Sequence, residues 1–140
     1  VLSKAQYIEF ALPYMKKISD AIKEVPVILF AKDAHYILEE FAQTNCSVIG
    51  LDWTIEPQKA RSEAPNKTLQ GNLDPCVLYA DKEMIKAEAE KMLRAFGKQN
   101  YICNLGHGVY PDVDFEKAKY FRRGAKFQVI KYIILILCPL

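Results

Sequence analysis

The part of this sequence most suited to chemistry is a run with a histidine between two glycines. It reads NLGHGVYPD at residues 104–112 and directly follows a short apolar segment, residues 101–103. Glycine lacks a Cβ, so Gly106 and Gly108 are expected to let the backbone turn sharply and a ligand approach closely. The imidazole of His107 can donate a hydrogen bond, carry positive charge or move a proton near neutral pH. His107 is therefore the first candidate site residue.

Polar residues also follow three other apolar segments, at the points where we expect strands to end. In parallel sheets and barrels the carboxyl ends of the strands are where active sites are built. We call each such strand end, with the polar residues that follow it, a strand exit. Four strand exits in one chain favour a common site at the carboxyl edge of the sheet. The three further exits are Lys32–Asp33, Asp52–Trp53 and residues 70–74.

The aspartates at these exits have two interpretations. Asp52 and Asp74 could act as acid or base, but each precedes a turn and a helix, where a carboxylate commonly accepts backbone hydrogen bonds. Structural capping is the favoured interpretation for both. Asp33 and Asp81 are likewise expected to do no more than cap helices.

The aromatic residues and the second histidine are less specific. Trp53 and Tyr110 could line an aromatic pocket, although packing in the core explains them equally well. His35 falls inside a predicted helix that begins near residue 34, so we expect it to be a surface or packing residue.

Hydrophobic periodicity predicts helices that alternate with strands, which is the pattern of βα units around a parallel sheet. Ser3 is the expected N-cap of the first helix, Pro13 should kink or divide it, and Gly97 should end a later one. The predicted strands are residues 25–31, 47–51, 67–71 and 101–103, and the predicted helices are residues 4–24, 34–43, 57–61, 81–96 and 114–126.

Composition is that of an ordinary globular domain. The chain has 140 residues, 51% hydrophobic content and a formal net charge of +2, with dispersed basic residues, so nucleic-acid binding is not indicated. Its four cysteines form no C-x-x-C pair, which indicates reduced thiols rather than a zinc site. The apolar run 129–137 is far shorter than the roughly 20 residues that span a bilayer, so no membrane segment is predicted.

Four blocks of sequence resemble the uroporphyrinogen decarboxylase family, in its order and spacing. They are FAK at residues 30–32, GLDW at 50–53, LQGNLDP at 69–75 and NLGHG at 104–108. The similarity runs over about residues 2–121 and looks more like the animal than the bacterial members. It implies a (β/α)8 TIM barrel, of which this chain carries roughly the last four βα units.

The resemblance also implies a function. Members of the family decarboxylate the four acetate side chains of uroporphyrinogen to give coproporphyrinogen in haem synthesis, without a metal or organic cofactor, as cytoplasmic homodimers. His107 is similar in position to the family's histidine that contacts the substrate, so it is the expected substrate-binding residue. A hydrogen-bonding or positive group is chemically sensible there, because the substrate carries eight carboxylates.

Three departures from the family pattern affect this assignment. The family's N-terminal half, with its substrate-binding arginines and catalytic aspartate, has no counterpart here, so the catalytic residues stay unassigned and we expect a fragment. Residues 63–66 look shortened. After Phe121 an apolar stretch replaces a mixed polar helix, so residues 1–121 form the expected half-barrel and residues 122–140 a divergent tail. The favoured explanation of this tail is a splice or frame error. Such a half-barrel should expose sheet edges, be inactive alone and tend to aggregate.

Two alternatives remain. The chain could be an inactive truncated product that at most associates with the intact enzyme. It could also belong to the cobalamin- and coenzyme M-dependent methyltransferases of the same fold, which bind zinc through histidine and cysteine. Those enzymes have cysteine in the loop where this chain has His107, and Cys103 lies inside the preceding strand, so the zinc interpretation is the weaker one.

Overall fold

The chain folds into one parallel sheet with helices on its outer side. The computed structural model describes residues 2–124 and, for the backbone alone, residues 134–137. The strands are β1 Val27–Phe30, β2 Val48–Gly50, β3 Thr68–Leu73, β4 Tyr101–Leu105 and β5 Ile134–Leu137. The α-helices are α1 Lys4–Phe10, α2 Leu12–Ala21, α3 Leu38–Ala42, α4 Pro57–Glu63, α5 Lys82–Phe96 and α6 Phe115–Gly124. Two 3₁₀ helices, His35–Ile37 and Pro75–Tyr79, precede α3 and α5.

All the strand pairs are parallel, in the order β4-β3-β2-β1-β5. The first four strands confirm the predicted βα pattern. β5 was not predicted, because the end of the chain was interpreted as a divergent tail. It pairs along the whole of β1, from Val27 opposite Ile134 to Phe30 opposite Leu137. The expectation of an open sheet edge is therefore wrong at β1, whereas β4 has one neighbour among the described strands.

The helix boundaries follow local signals that are readable in the sequence. Ser3 accepts a hydrogen bond from the Gln6 amide while the Gln6 side chain accepts one from Ser3, which completes a capping box. Pro13 lies in the first turn of α2, and the predicted long helix is divided at Ala11. Gly97 ends α5 at φ 75°, a conformation that favours glycine.

Several boundaries differ from the prediction. The predicted helix 34–43 is a 3₁₀ turn followed by the short α3. β3 and β4 extend past their predicted ends because their ladder continues beyond Gly71 to Leu73 opposite Leu105. The polar residues after Gly71, which suggested a loop, are thus part of the sheet. Residues 125 and 126 of the predicted last helix lie outside the described residues.

The core lies between the sheet and its helices. Leu29, Ile49 and Leu69 stand opposite one another on adjacent strands, and each is 0% exposed. Alternate side chains of a strand point to opposite faces. The neighbouring positions 28, 30, 50 and 70 therefore face the other side of the sheet, where the candidate site lies.

Candidate functional site

The inner face of the sheet carries a central cleft of about 480 Å³. Its walls are mainly apolar, and it opens at the loop after β4. The central cleft is lined by Ile28, Phe30, Gly50, Leu51, Gln70 and residues 104–109. Four strands and the NLGHG loop therefore contribute to one site, but of the predicted polar exits only Gln70 and residues 104–107 line it, whereas Lys32–Asp33 and Asp52–Trp53 do not.

His107 lies at the mouth of the central cleft and is exposed. Its ring centroid is 6.3 Å from that of Trp53, in an edge-to-face arrangement, and 6.4 Å from that of Phe30. The imidazole is thus held beside two rings from different strand exits. Aromatic contacts of this geometry orient a ring while leaving its nitrogens available to a ligand.

The position of His107 depends on a close backbone contact at Gly106. A Cβ on Gly106 would lie 2.6 Å from the Trp53 amide nitrogen and 3.0 Å from the Asp52 carbonyl carbon. The Gly106 amide also donates a hydrogen bond of 2.7 Å to the Leu73 carbonyl oxygen. The loop is therefore seated directly on the exits of β2 and β3.

This contact changes the interpretation of the two glycines. Neither Gly106 nor Gly108 has a positive φ, so neither is required for a left-handed turn. Gly106 is required because the β2 exit, rather than a ligand, approaches it closely. A Cβ on Gly108 would meet nothing within 4 Å among the described residues.

Asp52 is a structural residue at the centre of the strand exits. It is 3% exposed, and its carboxylate accepts hydrogen bonds from the Asp33 amide at 2.6 Å, the Thr54 amide at 2.8 Å and the Thr54 hydroxyl at 2.5 Å. A carboxylate with these partners is fixed in place and holds the β1 and β2 exits together. Asp52 is thus structural, but it joins two loops and does not cap the following helix, whose N-cap is Glu56.

Of the three other aspartates for which capping was predicted, Asp74 and Asp81 cap helices and Asp33 does not. The Asp74 carboxylate accepts from the Cys76 amide at 2.9 Å, and that of Asp81 from the Met84 amide at 2.8 Å. Asp33 does not cap a helix, contrary to prediction. It adopts φ 56°, and its carboxylate pairs instead with the Lys32 ammonium.

Lys32 lies next to Trp53, outside the residues that line the central cleft. Its Nζ lies 5.6 Å from the centre of the Trp53 ring, the same ring that contacts His107. The hydrogen bond to Asp33 raises the pKa of the Lys32 ammonium, against a smaller opposing effect of burial. Lys32 and His107 therefore share Trp53 as a neighbour, and the charge of Lys32 is paired with Asp33.

The far end of the His107 loop is anchored to the segment after β3. The Tyr79 hydroxyl donates to the Asp112 carboxylate at 2.6 Å, and the Tyr79 ring stacks on Tyr110 with centroids 6.3 Å apart. The hydrogen bond to Asp112 raises the pKa of Tyr79 to about 12. Tyr110 therefore serves as a loop anchor, and neither it nor Trp53 lines the central cleft itself.

The second histidine lies apart from the central cleft. His35 is half-buried, its Nδ1 is 3.4 Å from the Thr54 hydroxyl oxygen, and its ring meets Tyr36 edge to face. This confirms that His35 is a packing residue.

The sequence analysis missed two polar side chains of the central cleft. Gln70 and Asn104 are on β3 and β4 and face the cavity, but Gln70 was noted only as part of a polar run and Asn104 as part of the loop. The alternation of facing along β3, which buries Leu69 on the opposite side, was the signal that could have identified Gln70.

The thiol of Cys103, on β4, is buried. Burial raises the pKa of the Cys103 thiol to about 11, which keeps it protonated at neutral pH. Within residues 2–124 no group of three or more histidine, cysteine, aspartate or glutamate side chains is placed to hold a metal ion. No helix within the same residues is long and apolar enough to cross a bilayer.

The sheet, its outer helices and a ligand cleft at the carboxyl ends of the strands define part of a (β/α)8 barrel. A methyltransferase from Methanosarcina mazei has the same fold: it superposes with a TM-score of 0.75 over 89% of this chain and 37% of its own, at 19% identity. At that identity the likeness concerns the fold alone.

The particular family follows from closer relatives. The family described as uroporphyrinogen decarboxylase (URO-D) matches residues 1–126. The uroporphyrinogen decarboxylase of Ovis aries is 50% identical over 81% of this chain and 34% of its own length. That of Chlorobium chlorochromatii is 45% identical over 94% of this chain and 40% of its own. The chain belongs to the uroporphyrinogen decarboxylase family, and it spans about a third to two fifths of the length of these relatives.

Proposed function

We propose that this chain forms part of a uroporphyrinogen decarboxylase, in which the central cleft receives the substrate and His107 binds it. Relatives that share about half of its residues carry that name. The observation that carries the proposal is the placement of His107 on the NLGHG loop, at the mouth of a cleft built from four strands.

The chemistry of the central cleft suits such a substrate. Uroporphyrinogen combines an apolar ring system with carboxylates around its edge. The apolar walls formed by Ile28, Phe30 and Leu105 can contact the rings. His107, which lines the central cleft, can hydrogen-bond or pair with carboxylates.

The proposed reaction begins when a proton adds to the α-carbon of a pyrrole, next to the ring carbon that bears the acetate. The bond from the methylene to the carboxylate then breaks, carbon dioxide leaves, and the electron pair forms a double bond between the methylene and the ring carbon, which neutralises the cationic ring. Protonation of this exocyclic methylene gives the methyl group, and loss of the first proton from the α-carbon restores the pyrrole. In this scheme His107 binds and orients the substrate. In this proposal Asp52 is not the acid, because its buried carboxylate already accepts hydrogen bonds from the Asp33 amide and from the amide and hydroxyl of Thr54.

The remaining features of the proposal come from the family resemblance. We propose that the working enzyme is a cytoplasmic homodimer and acts without nucleic acid or membrane partners. Residues 1–121 would supply the barrel segment and residues 122–140 the divergent tail. Gel filtration coupled to light scattering tests the dimer directly.

A chimaera tests the role of His107 in a complete barrel. Residues 1–126 would replace the matching segment of the sheep enzyme, and the His107→Ala variant would be compared with His35→Ala, a matched histidine outside the central cleft. Loss of a hydrogen bond to a charged group is worth about 1.5–3 kcal/mol, so kcat/KM should fall about 10- to 100-fold for His107→Ala. His35→Ala should retain the parent rate.

The same chimaera can reject the proposal in two ways. Near-parental removal of all four acetates by His107→Ala would reject the histidine's role. A parent chimaera whose circular dichroism matches the sheep enzyme, but which releases no carbon dioxide from uroporphyrinogen, would reject the function.

A further inference from the structure

The strand β5 occupies the side of β1 that faces away from β2, which we call the β1 edge. We propose that β5 is an intramolecular plug: it takes the place that the strand before β1 has in a complete barrel, and so keeps this chain from assembling with the rest of a barrel. The inference rests on the fold and the family, and it does not depend on the proposed activity.

The order of the strands shows what belongs at the β1 edge. β1, β2, β3 and β4 follow one another across the sheet in chain order, and each is parallel to the next. In a (β/α)8 barrel this progression continues in both directions, because strands that are consecutive in the chain are neighbours. The strand before β1 in a complete barrel therefore lies at the β1 edge, where this chain has β5.

The chain covers only part of such a barrel. It spans 34% of the length of the sheep relative and 40% of that from Chlorobium chlorochromatii. A barrel closes only when every strand has two neighbours. The missing strands must then join this sheet at both of its ends, at β4 and at the β1 edge.

The backbone pairing of β5 is the one that a barrel strand would make. β5 is parallel to β1, and its four residues stand opposite the four of β1, from Val27 opposite Ile134 to Phe30 opposite Leu137. A strand that returned by a tight turn would be antiparallel. β5 also lies at the opposite end of the sheet from β4, the strand before it in the chain. The pairing therefore matches both the place and the direction of the missing strand.

The sequences of β5 and β1 favour this pairing. Residues 134–137 read ILIL, in which β-branched isoleucine alternates with leucine, and contain no charge or proline. Charges and prolines are what commonly stop an edge strand from pairing. β1 is equally apolar, and its residues Val27, Ile28 and Leu29 are at most 2% exposed. Because β5 is tethered to the same chain, it has the advantage over a strand from a separate molecule.

The β1 edge can pair with one strand at a time. Its backbone N–H and C=O groups are used in a single ladder, so a bound β5 excludes the strand of another polypeptide. While β5 is in place, the chain offers the missing strands only the free side of β4, and a barrel cannot close on one contact. Release of β5 should therefore favour assembly.

Hydrogen exchange of the 140-residue chain tests the pairing directly. In the parent, the amides of residues 27–30 and 134–137 should both be protected. A proline variant, Leu135→Pro with Ile136→Pro, removes two successive N–H groups, which point to opposite sides of the strand, so one of them faces β1. Residues 27–30 should then exchange at least about tenfold faster, while residues 68–73 of β3 keep the parental rate.

The matched control is a valine variant, Leu135→Val with Ile136→Val. It changes the same two side chains but keeps both backbone donors and a residue type that favours strands. Its exchange at residues 27–30 should equal that of the parent.

Co-expression tests whether β5 acts as a plug. The part of the sheep enzyme that precedes its match to this chain carries an affinity tag and is expressed together with the parent, the proline variant or the valine variant. The amount of chain retained on the affinity resin should be about fivefold higher or more for the proline variant than for the parent, because only the proline variant offers both ends of its sheet. The valine variant should be retained like the parent.

Each contrary result rejects a particular step. Exchange of residues 134–137 in the parent at the rate of an unstructured peptide would overturn the pairing of β5. Fast exchange at residues 68–73 of the proline variant would overturn the plug, because β5 would then be needed by the whole sheet. Retention of the proline variant at or below that of the parent would also overturn it. Neither measurement involves uroporphyrinogen, so these outcomes leave the proposed function to its own test.

Discussion

Gly106 and Trp53 are in backbone contact, and this contact sets the histidine loop against the β2 exit. A Cβ at position 106 would lie 2.6 Å from the Trp53 amide nitrogen, closer than real Cβ atoms come to such an atom. The same tryptophan contacts the His107 ring edge to face. Because Gly106 has no side chain, the loop can lie against the backbone of Trp53, and this position brings the His107 imidazole into contact with the Trp53 ring.

We predict that Gly106→Ala destabilises the chain by about 1–3 kcal/mol, because the added methyl group forces backbone apart in a packed region. Gly108→Ala is the matched control, since its Cβ would enter open space among the described residues. Urea unfolding of both variants checks the prediction. Equal midpoints for the two variants would show that the loop is not seated as described.

Asp52→Ala should be more damaging than Asp74→Ala. Asp52 is buried and accepts three hydrogen bonds that join two loops, so its loss should cost about 3 kcal/mol. Asp74 accepts one bond at the start of a 3₁₀ helix, and its loss should cost about 1 kcal/mol. Chemical unfolding measures the free energy of unfolding of both variants. A larger loss of stability for Asp74→Ala than for Asp52→Ala would contradict this ranking.

The Tyr79–Asp112 hydrogen bond should make stability depend on pH in the alkaline range. The pKa of Tyr79 is raised from 10.0 to about 12 by that bond, so the folded state favours the protonated phenol. The resulting stabilisation is fully present below pH 10 and is lost as the pH rises through about 12. Below pH 10 the melting temperature of the parent should exceed that of Tyr79→Phe. The difference between the two melting temperatures should shrink towards pH 12.

Tyr14→Phe provides the control for this pH effect, because Tyr14 is 66% exposed. The difference in melting temperature between Tyr14→Phe and the parent should stay constant across the same pH range. A constant difference for Tyr79→Phe as well would mean that Tyr79 does not bond to Asp112 in solution.

Alkylation should distinguish the thiols. Cys76 is exposed, whereas Cys103 is buried with its pKa raised to about 11, so very little of the Cys103 thiolate is present at pH 8. We expect iodoacetamide to modify Cys76 well before Cys103 when peptides are mapped by mass spectrometry. Comparable rates would contradict the burial of Cys103.

The βα pattern, the strand exits and most helix ends were predictable because they depend on neighbours in sequence. Pro13, Asp81 and Gly97 act within one turn of their own helices, and their roles were confirmed. The capping assigned to Asp33 failed because the neighbouring Lys32 ammonium takes its carboxylate, while its amide donates to the distant Asp52.

Contacts between distant strands were not predictable from one sequence. The need for glycine at position 106 arises from the backbone of residues 52 and 53, which belong to another strand exit. The pairing of β5 with β1 was missed for a similar reason: the apolar run was compared with a family pattern rather than tested as a strand. The cleft was thus predictable as a location, but its interior was not.

The 140-residue chain alone is predicted to bind uroporphyrinogen without decarboxylating it. The central cleft and His107 belong to this chain, but in its described part the sheet stops at β4 and no free carboxylate within the cleft lining can deliver the proton. Anaerobic incubation with uroporphyrinogen, followed by chromatography of the oxidised porphyrins, should therefore return the eight-carboxylate species. Formation of coproporphyrin at a rate that His107→Ala abolishes would show that the chain is a complete catalyst.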